Sequence, residues 1–427
     1  MNRVKLGDIL RIKHGYAFKS ENYVDKSPYA LVTLANISGS NNFQFTPEKT
    51  TYYGADFPEE FKLYEDDLIM PLTEQVIGLF GNSAFVPKIN GIQFVLNQRV
   101  GKVIPKEDVA DKYYLHYLLS TDIVRDQLEY RASGTRQRNI SPNDVYDFTV
   151  FIPDIEMQRK IGKTLYDIER KININNKIND NLQHQLKVMY DYWFTQFDFP
   201  DENGKPYRSS GGAMVWNEQL KCNIPLNWII GIVSDCVEKI STGLNPRDNF
   251  VLGNGTIRYI TVKNLTTTGS LDFSGCDMID EEARAIVHRR SDISVGDILF
   301  ASIAPLGRCF LIQQEPTDWD INESVFSIRS KTDMITPEYL YLFFQSDSFI
   351  QKATNTSTGS IFKGIRINTL LDTQMIIPDL QVCRNFTDAI KPLLAEINNN
   401  SAETARLTAL RDWLLPMLMN GQATISD

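Results

Sequence analysis

Short apolar and β-branched runs separated by Gly, Pro and Asn occupy residues 1–152, and this pattern predicts β-strands. The clearest runs read YALVTLANI, DLIMPL, NSAFVP and QFVLNQRVGKVI. A stretch with helical spacing of its apolar positions follows them, YYLHYLLSTDIVRDQLEYRA. Residues 229–377 repeat this order, from RYITVKNL through DILFASIA, RCFLIQ and SVFSIRS to EYLYLFFQSDSFIQKA. The pattern predicts two similar domains, each with helices and a mainly antiparallel or mixed sheet.

After Pro153 the pattern changes to apolar and amide positions that recur in alternating steps of four and three residues. These positions are Ile161, Leu165, Ile168, Ile172, Asn175, Asn179, Leu182, Leu186, Met189 and Trp193. Such a 3.5-residue period predicts a long helix that packs along a seam against a helical partner. A generic amphipathic surface helix is the alternative, and the unbroken regularity favours the helical partner.

The second domain is followed by a corresponding seam. Its positions are Phe386, Ile390, Leu393, Ile397, Asn400, Thr404 and Leu407, continued after a one-residue slip by Leu410, Leu414 and Leu418. Pro392 lacks the backbone N–H of an interior helix residue and is expected to kink this helix or to mark a late start. An antiparallel pair of the two helices would bring Asn175 to Asn400, and we expect this buried amide pair to fix the register.

The two halves are also similar residue by residue. At an offset of 225 residues, Tyr114-Leu115 matches Tyr339-Leu340 and Ile152-Pro153-Asp154 matches Ile377-Pro378-Asp379. Nearer the start of each half the offset is 228, which pairs Asn36 with Asn264. The matches keep their order over most of both halves, which indicates an internal repeat rather than chance identities.

We therefore predict an α+β protein in which two similar mixed α/β domains are separated by two long antiparallel helices that form an intramolecular coiled coil with pseudo-twofold symmetry. The expected boundaries are 1–152 for the first domain, 153–196 for the central helix, 197–228 for a connector, 229–377 for the second domain and 378–421 for the distal helix.

Composition narrows the class of protein. A chain of 427 residues with 42% hydrophobic residues is globular and has no run of apolar residues long enough for a membrane span. Its five cysteines have no C-x-x-C spacing, which favours a reducing cytoplasm. The net charge of −9 argues against indiscriminate nucleic-acid binding, so any DNA contact is expected to be local and assisted by a partner.

Catalytic signatures are missing from the sequence. It contains no phosphate-binding P-loop, no H-E-x-x-H, no G-x-S-x-G and no G-x-G-x-x-G. Pro153-Asp154 followed by Glu169-Arg170-Lys171 has the order of a nuclease motif. On one continuous helix, however, Asp154 and Glu169 would be about 22 Å apart and could not share a metal ion. We expect no metal site.

Loops rich in Arg, Asn, Gln and hydroxyl side chains remain, and these residue types bind base edges and phosphates. RASGTRQRNIS corresponds to NTSTGSIFKGIR, LTEQVIG to SIAPLGR, and LNQR to INES, so equivalent loops carry different chemistry. A solvated loop position is the alternative for each residue. The predicted DNA-binding residues are Arg11, Lys13, His14, Tyr16, Lys19, Thr73, Glu74, Gln75, Asn97, Gln98, Arg99, Arg131, Ser133, Thr135, Arg136, Gln137, Arg138, Asn139, Lys239, Thr242, Asn245, Arg247, Lys263, Asn264, Ser302, Arg308, Asn322, Thr358, Ser360, Lys363 and Arg366.

The chain resembles the specificity (S) subunits of Type I restriction-modification systems over nearly its full length. The resemblance rests on the paired layout and on SGTRQRNISPNDVYDFTVFIPDIEMQRKIG and TGSIFKGIRINTLLDTQMIIPD at the transitions from domain to helix. It also rests on the connector FPDENGKPYRSSGGAMV leading to IPLNW, on KISTGLNP and on the closing LTALRDWLLPMLMNG.

The resemblance implies two target-recognition domains that each read one half of a bipartite site on double-stranded DNA, with the helices setting the spacer. It implies no catalysis and no cofactor on this chain. Two methyltransferase (M) subunits would dock on the helices and bring S-adenosylmethionine, and restriction (R) subunits would bring ATP and Mg. No membrane partner is implied. The alternatives are a non-catalytic scaffold or DNA-mimic anti-restriction protein, and a methyltransferase or nuclease.

Overall fold

The computed structural model describes residues 1–37, 42–75, 77–134, 137–356 and 364–425, and the chain divides into two compact units. The first unit comprises residues 1–172 and 406–427, and the second comprises residues 173–405. Each unit contains part of both long helices.

The described residues of the first unit form twelve short strands. They are β1 Asn2–Lys5, β2 Leu10–His14, β3 Tyr23–Val24, β4 Tyr29–Val32, β5 Tyr52–Tyr53, β6 Leu68–Pro71, β7 Thr73–Glu74, β8 Ala84–Phe85, β9 Gln93–Leu96, β10 Val100–Pro105, β11 Arg138–Asn139 and β12 Thr149–Ile152. Its helices are α1 Leu6–Ile9, α2 Lys112–Leu119, α3 Asp122–Arg131, α4 Pro142–Tyr146 and the first part of α5 Ile155–Tyr190, with 3-10 turns at Ser20–Asn22, Leu34–Asn36, Pro47–Lys49 and Glu59–Phe61.

These strands form two main sheets. One is antiparallel with the order β2-β10-β6-β8, and the other has the order β3-β5-β4-β9 with β4 parallel to β9. Strand β1 pairs with β12, and β7 pairs with β11. The apolar sides of α2, α3 and α5 cover a core that includes Leu10, Met70 and Leu115.

The second unit contains the remaining strands and helices. Its strands are β13 Met214–Asn217, β14 Cys222–Pro225, β15 Ile229–Ile232, β16 Val237–Thr242, β17 Ile257–Ile260, β18 Asp277–Ile279, β19 Ile298–Ala301, β20 Cys309–Leu311, β21 Trp319–Ile321, β22 Val325–Ser330 and β23 Gln374–Ile377. Its helices are α6 Glu281–Ser291, α7 Pro337–Gln345, α8 Asp347–Thr356, α9 Ile367–Leu371 and most of α10 Leu380–Met419, with a 3-10 turn at Val233–Cys236 and a π-helical turn at Asp191–Thr195 that continues α5.

The topology of the second unit repeats that of the first. The order β16-β22-β19-β20 corresponds to β2-β10-β6-β8, and the parallel pair of β17 and β21 corresponds to β4 and β9. Strand β18 takes the place of β5, and the pair β15-β23 that of β1-β12. The predicted combination of two similar mixed domains with two long helices is confirmed.

The single helix predicted from YYLHYLLSTDIVRDQLEYRA is two helices, α2 and α3. The side-chain hydroxyls of Ser120 and Thr121 donate to the carbonyls of Tyr117 and Leu118, at distances of 2.8 and 2.7 Å, where α2 ends. Ser346 makes the same contact with Phe343 between α7 and α8, at 2.7 Å. Hydroxyl groups that satisfy terminal carbonyls end a helix without a Gly or Pro, the usual signals for a break.

The two long helices confirm the periodic pattern. Helix α5 has 36 residues and α10 has 40, and α10 begins at Leu380. The late start considered for Pro392 is therefore wrong, since the helix begins twelve residues earlier and continues past the proline. Leu410 is also an exception to its predicted seam, because 42% of its surface is exposed, whereas Leu418 is buried in the core of the first unit.

Within the second unit, α5 and α10 are antiparallel and meet through buried amides. The Asn400 side-chain N–H donates to Oδ1 of Asn179 at 3.1 Å, and Asn179 donates to the carbonyl of Ile397 at 3.2 Å. Asn175, which is fully buried, donates to Oε2 of Glu403 at 2.7 Å. The predicted partner of Asn400 was thus wrong by one helical turn, because a 3.5-residue period is satisfied by several alignments of the seam.

We expect the Asn179 to Asn400 contact to behave as a coupled pair. Asn179→Leu leaves the buried amide of Asn400 without its acceptor and should lower the free energy of unfolding by about 1–3 kcal/mol. The double variant Asn179→Leu/Asn400→Leu should recover most of this loss, because both polar groups are then removed. Urea unfolding of the full chain measures both changes.

The exposed Asn176 provides the control, since Asn176→Leu on the same helix should change the free energy of unfolding by less than about 0.5 kcal/mol. A double variant that loses as much stability as the two single variants together would contradict the pairing.

Candidate nucleic-acid interface

Four chain segments of the first unit meet where its strands end. The Gln98 N–H donates to the Tyr16 carbonyl at 3.0 Å, the Leu72 N–H to the Arg99 carbonyl at 2.9 Å, and the Ile140 N–H to the Leu72 carbonyl at 3.0 Å. These contacts place most of the loops predicted to bind DNA side by side. We call this surface the first recognition edge, residues 13–16, 72–75, 97–99 and 137–139.

The second unit builds the same surface from equivalent segments. The Gly243 N–H donates to the Asn322 carbonyl at 3.1 Å, the Ser302 N–H to the Ser324 carbonyl at 3.2 Å, and the Ile365 N–H to the Ser302 carbonyl at 2.9 Å. The second recognition edge consists of residues 242–245, 302–303, 322–324 and 364–366.

A glycine allows the close backbone approach in each edge. A Cβ atom at Gly15 would overlap the carbonyl of Asn97, and one at Gly243 would overlap the carbonyl of Ile321. Since these neighbours are backbone atoms of adjacent strand ends, neither can move away without breaking the edge. The repeated glycine therefore has a steric reason at both positions.

Asn264, predicted to contact DNA, supports a loop instead. Its Oδ1 accepts the Thr261 N–H at 2.9 Å and its Nδ2 donates to the Asp272 carbonyl at 2.9 Å. Asn36 does the same in the first unit, with distances of 2.7 Å to Thr33 and 2.8 Å to Gln44. Both asparagines are buried, so their conserved spacing in the repeat reflects loop structure.

Glu74 is also buried, with 1% of its surface exposed. Its carboxylate accepts from Arg138 Nε at 2.7 Å and from the backbone N–H groups of Leu79 and Phe80 at 3.1 Å. These three donors occupy the oxygen atoms of the carboxylate, which lies beneath the surface of the edge. The direct base contact predicted for Glu74 is thus replaced by a supporting role that orients Arg138. The buried Thr73 likewise donates to Asn139, at 2.9 Å.

Two further predicted contacts of the second unit are structural. Arg308 donates to the carbonyls of Val262, Leu265, Ile303 and Pro305, and burial lowers the pKa of its guanidinium. Ser302 is buried and donates to the Ser324 carbonyl at 2.6 Å. Arg308 holds loops beside the second recognition edge, and Ser302 joins two segments of the edge itself.

The other predicted residues divide by exposure and place. Arg11 on β2 and Lys239 on β16 each lie three residues before the end of the strand, where the chain enters a recognition edge. Lys13 forms an ion pair with Glu60, and Lys239 forms one with Asp292. Half-buried at or near the edges are Tyr16, Asn97, Gln137, Thr242, Asn245 and Asn322. Exposed are His14, Lys19, Gln75, Gln98, Arg99, Arg131, Ser133, Asn139, Arg247, Lys263 and Arg366. Thr135, Arg136, Thr358, Ser360 and Lys363 lie outside the described residues.

The structure adds Glu323 and Ser324 to the second edge, where they follow Asn322 in the turn before β22. Neither was among the predicted DNA-binding residues. The alignment of INES with LNQR was the signal that could have identified them, because it places them opposite Gln98 and Arg99 in the repeat.

A buried polar network, rather than a catalytic site, occupies the junction of α2 and α5. Ser83 Oγ lies 2.8 Å from His116 Nδ1, His116 Nε2 lies 3.5 Å from Glu169 Oε2, and the Tyr117 hydroxyl donates to the same oxygen at 2.8 Å. Burial is the main cause that raises the pKa of Tyr117. All four residues are buried, so a substrate cannot reach them, and Glu169 contributes to the packing of α5 against α2.

The described residues contain no group of three or more His, Cys, Asp or Glu side chains that could hold a metal ion. None of the helices in the described part of the chain combines the length and the apolar character that a membrane crossing needs.

The Glu74 to Arg138 contact gives a testable consequence. Arg138→Ala leaves a buried carboxylate without its counter-charge and should lower the free energy of unfolding by about 3 kcal/mol. Glu74→Ala/Arg138→Ala should cost less than the sum of the single variants, as measured by denaturant unfolding of the full chain.

Arg99→Ala is the matched control, because Arg99 is exposed on the same edge and its removal should cost less than about 0.5 kcal/mol. Additive single and double variants would show that the ion pair does not stabilise the edge.

The chain is similar to known proteins over most of its length. The family model described as Type I restriction modification DNA specificity domain matches residues 1–184 and 227–408. The chain is 22% identical over 332 residues to the Type I restriction enzyme MjaIX specificity subunit of Methanocaldococcus jannaschii, covering 78% of this chain and 73% of that protein. It is 20% identical over 418 residues to the EcoBI specificity subunit of Escherichia coli, covering 95% and 83%. A crystal structure of a Type I restriction-modification S subunit from M. genitalium superimposes with a TM-score of 0.58 at 14% identity, covering 98% of this chain and 95% of that one, and supports the fold.

Proposed function

Because the chain belongs to the family of Type I restriction-modification DNA specificity subunits, we propose that it reads a bipartite DNA site, one half with each recognition edge. Subunits of this family are DNA-recognition components without catalytic activity, so this chain is a recognition subunit and not an enzyme. Modification and cleavage are the work of other subunits in the complex.

The observation that carries the proposal is that one backbone frame is built twice with different side chains on its surface. Gly15 and Gly243 make the same close approach, while Gln98 and Arg99 occupy the place that Glu323 and Ser324 occupy in the second unit. Arginine bonds guanine through two acceptors and glutamine bonds adenine, whereas a carboxylate accepts from cytosine. Two frames with different exposed groups are suited to two different half-sites.

The two long helices would set the spacer between the half-sites and dock two methyltransferase subunits. Apolar side chains outside the seam support a docking role: Ile174, Ile178 and Val188 on α5 are 40–51% exposed, and Trp413 on α10 is 60% exposed. Ile174 and Ile178 are four residues apart and therefore share a helix face. Exposed apolar side chains on one helix face are typical of protein contact surfaces.

The partners would provide the cofactors. Methyltransferase subunits would bring S-adenosylmethionine, and restriction subunits, joined through them, would bring ATP and Mg. Partner surfaces would also add positive charge to a recognition subunit whose own net charge is −9. We propose residues 1–152 and 229–377 as the target-recognition domains, joined by the helices 153–196 and 378–421 and the connector 197–228. The free thiols of the five cysteines are consistent with action in the cytoplasm.

Co-expression with the methyltransferase subunit of its own system, followed by methylome sequencing of the host DNA, tests the function. We expect adenine methylation at a bipartite motif, and replacement of residues 1–152 by those of a relative should change one half of that motif only. Methylation at a short continuous site would reject the proposal. A duplex affinity that does not depend on salt would instead favour the scaffold or DNA-mimic alternative.

At single-residue level, Arg99→Ala should weaken binding of a duplex with the full motif by about 1–3 kcal/mol and relax the base preference in the first half-site only. Competition binding with duplexes substituted in one half-site measures this. Lys49→Ala is the control, since Lys49 is an exposed cation of the same unit outside the first recognition edge. A change of base preference in the second half-site would show that the assignment of Arg99 to the first half-site is wrong.

A further inference from the structure

Helix α6 distinguishes the second unit from the first. It lies in the segment between β18 and β19, which corresponds by topology to the segment between β5 and β6. In the first unit this segment contains only the 3-10 turn Glu59–Phe61. In the second unit it contains an eleven-residue helix that packs beside β21 and β16.

The last turn of α6 presents a cluster of cationic side chains. His288, Arg289 and Arg290 are consecutive, and Arg289 and Arg290 are exposed. Neither arginine forms an ion pair with any of the described residues. His288, with 41% of its side chain exposed, has Nδ1 3.0 Å from Oδ2 of the buried Asp320.

The nearby carboxylates of Asp292 and Asp320 already have partners of their own. Asp292 forms an ion pair with Lys239 and lies 3.6 Å from Arg329, which lowers the pKa of this carboxyl. Asp320 accepts from Ser291 Oγ at 2.6 Å and from the Ile321 N–H at 2.8 Å. The two arginines therefore keep their charge for a ligand outside the unit.

This turn lies directly beside the second recognition edge. The Ser241 hydroxyl donates to the carbonyl of Ser291, the last residue of α6, at 2.5 Å. Ser241 immediately precedes Thr242, where β16 enters the edge. A duplex whose bases contact residues 242–245 would bring its sugar-phosphate backbone close to the end of α6.

The first unit has opposite charges at the equivalent place. Glu59 and Glu60 are exposed in the 3-10 turn, where Glu59 pairs with Lys62 and Glu60 with Lys13. The glutamates of this turn thus form ion pairs with nearby lysines, and the turn offers no cation to a ligand. Cations at a helix C-terminus also interact favourably with the helix dipole. One cation is enough for this interaction, so the dipole does not explain why the second unit has a cluster of cations where the first unit has glutamates.

We propose that the last turn of α6 binds phosphate groups of the DNA backbone next to the second half-site, through Arg289 and Arg290 with His288 beside them. The proposal rests on the proposed DNA-reading function and adds an asymmetry to it. The second unit holds the backbone beside its half-site more strongly than the first, with no contribution to the choice of bases.

The test uses the full chain in complex with its methyltransferase partner and a duplex that carries the methylome motif. Arg289→Gln/Arg290→Gln should reduce the slope of log affinity against log salt by about 2, because each phosphate contact contributes about 0.9 to that slope. Cognate and unrelated duplexes should weaken by the same factor, and the methylated motif should stay unchanged. Lys205→Gln/Arg208→Gln removes the same charge from exposed positions of the connector, outside the two long helices and the second recognition edge, and should leave the slope unaltered.

Shortening the duplex locates the contact. Removing base pairs outside the second half-site should weaken the unaltered complex but not the Arg289→Gln/Arg290→Gln complex, whereas shortening beyond the first half-site should affect both equally. An unchanged salt slope overturns the proposal, as does loss of the methyltransferase from the complex, which would assign these arginines to a protein partner. Failure of the unaltered complex to bind DNA would instead overturn the proposed function itself.

Discussion

Backbone hydrogen bonds between strand ends hold each recognition edge together, and the positions of the exposed side chains depend on them. The contacts from Leu72 to Arg99 and from Ile140 to Leu72 use peptide groups, which every residue except proline can supply in full. The frame consequently tolerates changes of side chain at its surface. This explains how two units with the same topology can present different chemical groups at the same place.

Buried polar residues behind the edges orient the exposed ones. Glu74 and Asn264 have the composition of base-reading residues, yet each is saturated by neighbours from its own unit. Leaving such groups without partners would cost about 1–3 kcal/mol each, so their hydrogen bonds constrain the loops strongly. Recognition chemistry and loop support thus use the same residue types, and burial separates the two roles.

The sequence predicted best those features that repeat over many residues. The two long helices and the repeated succession of strand-forming runs along the chain followed from regular spacing, which is a local property. The DNA-binding loops stay a prediction, and the sequence could not indicate that Glu74 is buried because its burial depends on Arg138, 64 residues away. The break between α2 and α3 was missed since it depends on the hydroxyls of Ser120 and Thr121, and the register of the seam was missed by one turn because several alignments satisfy the same period.

The Asn179 to Asn400 contact also has a consequence for inheritance. One asparagine comes from the helix that follows the first domain and the other from the helix that follows the second. Both lie outside residues 1–152 and 229–377, so exchange of either segment between related genes leaves the pair intact. Selection on the seam and selection on the recognition edges therefore act on separate stretches of the gene, and recombination within one stretch can replace the side chains of one recognition edge in a single event.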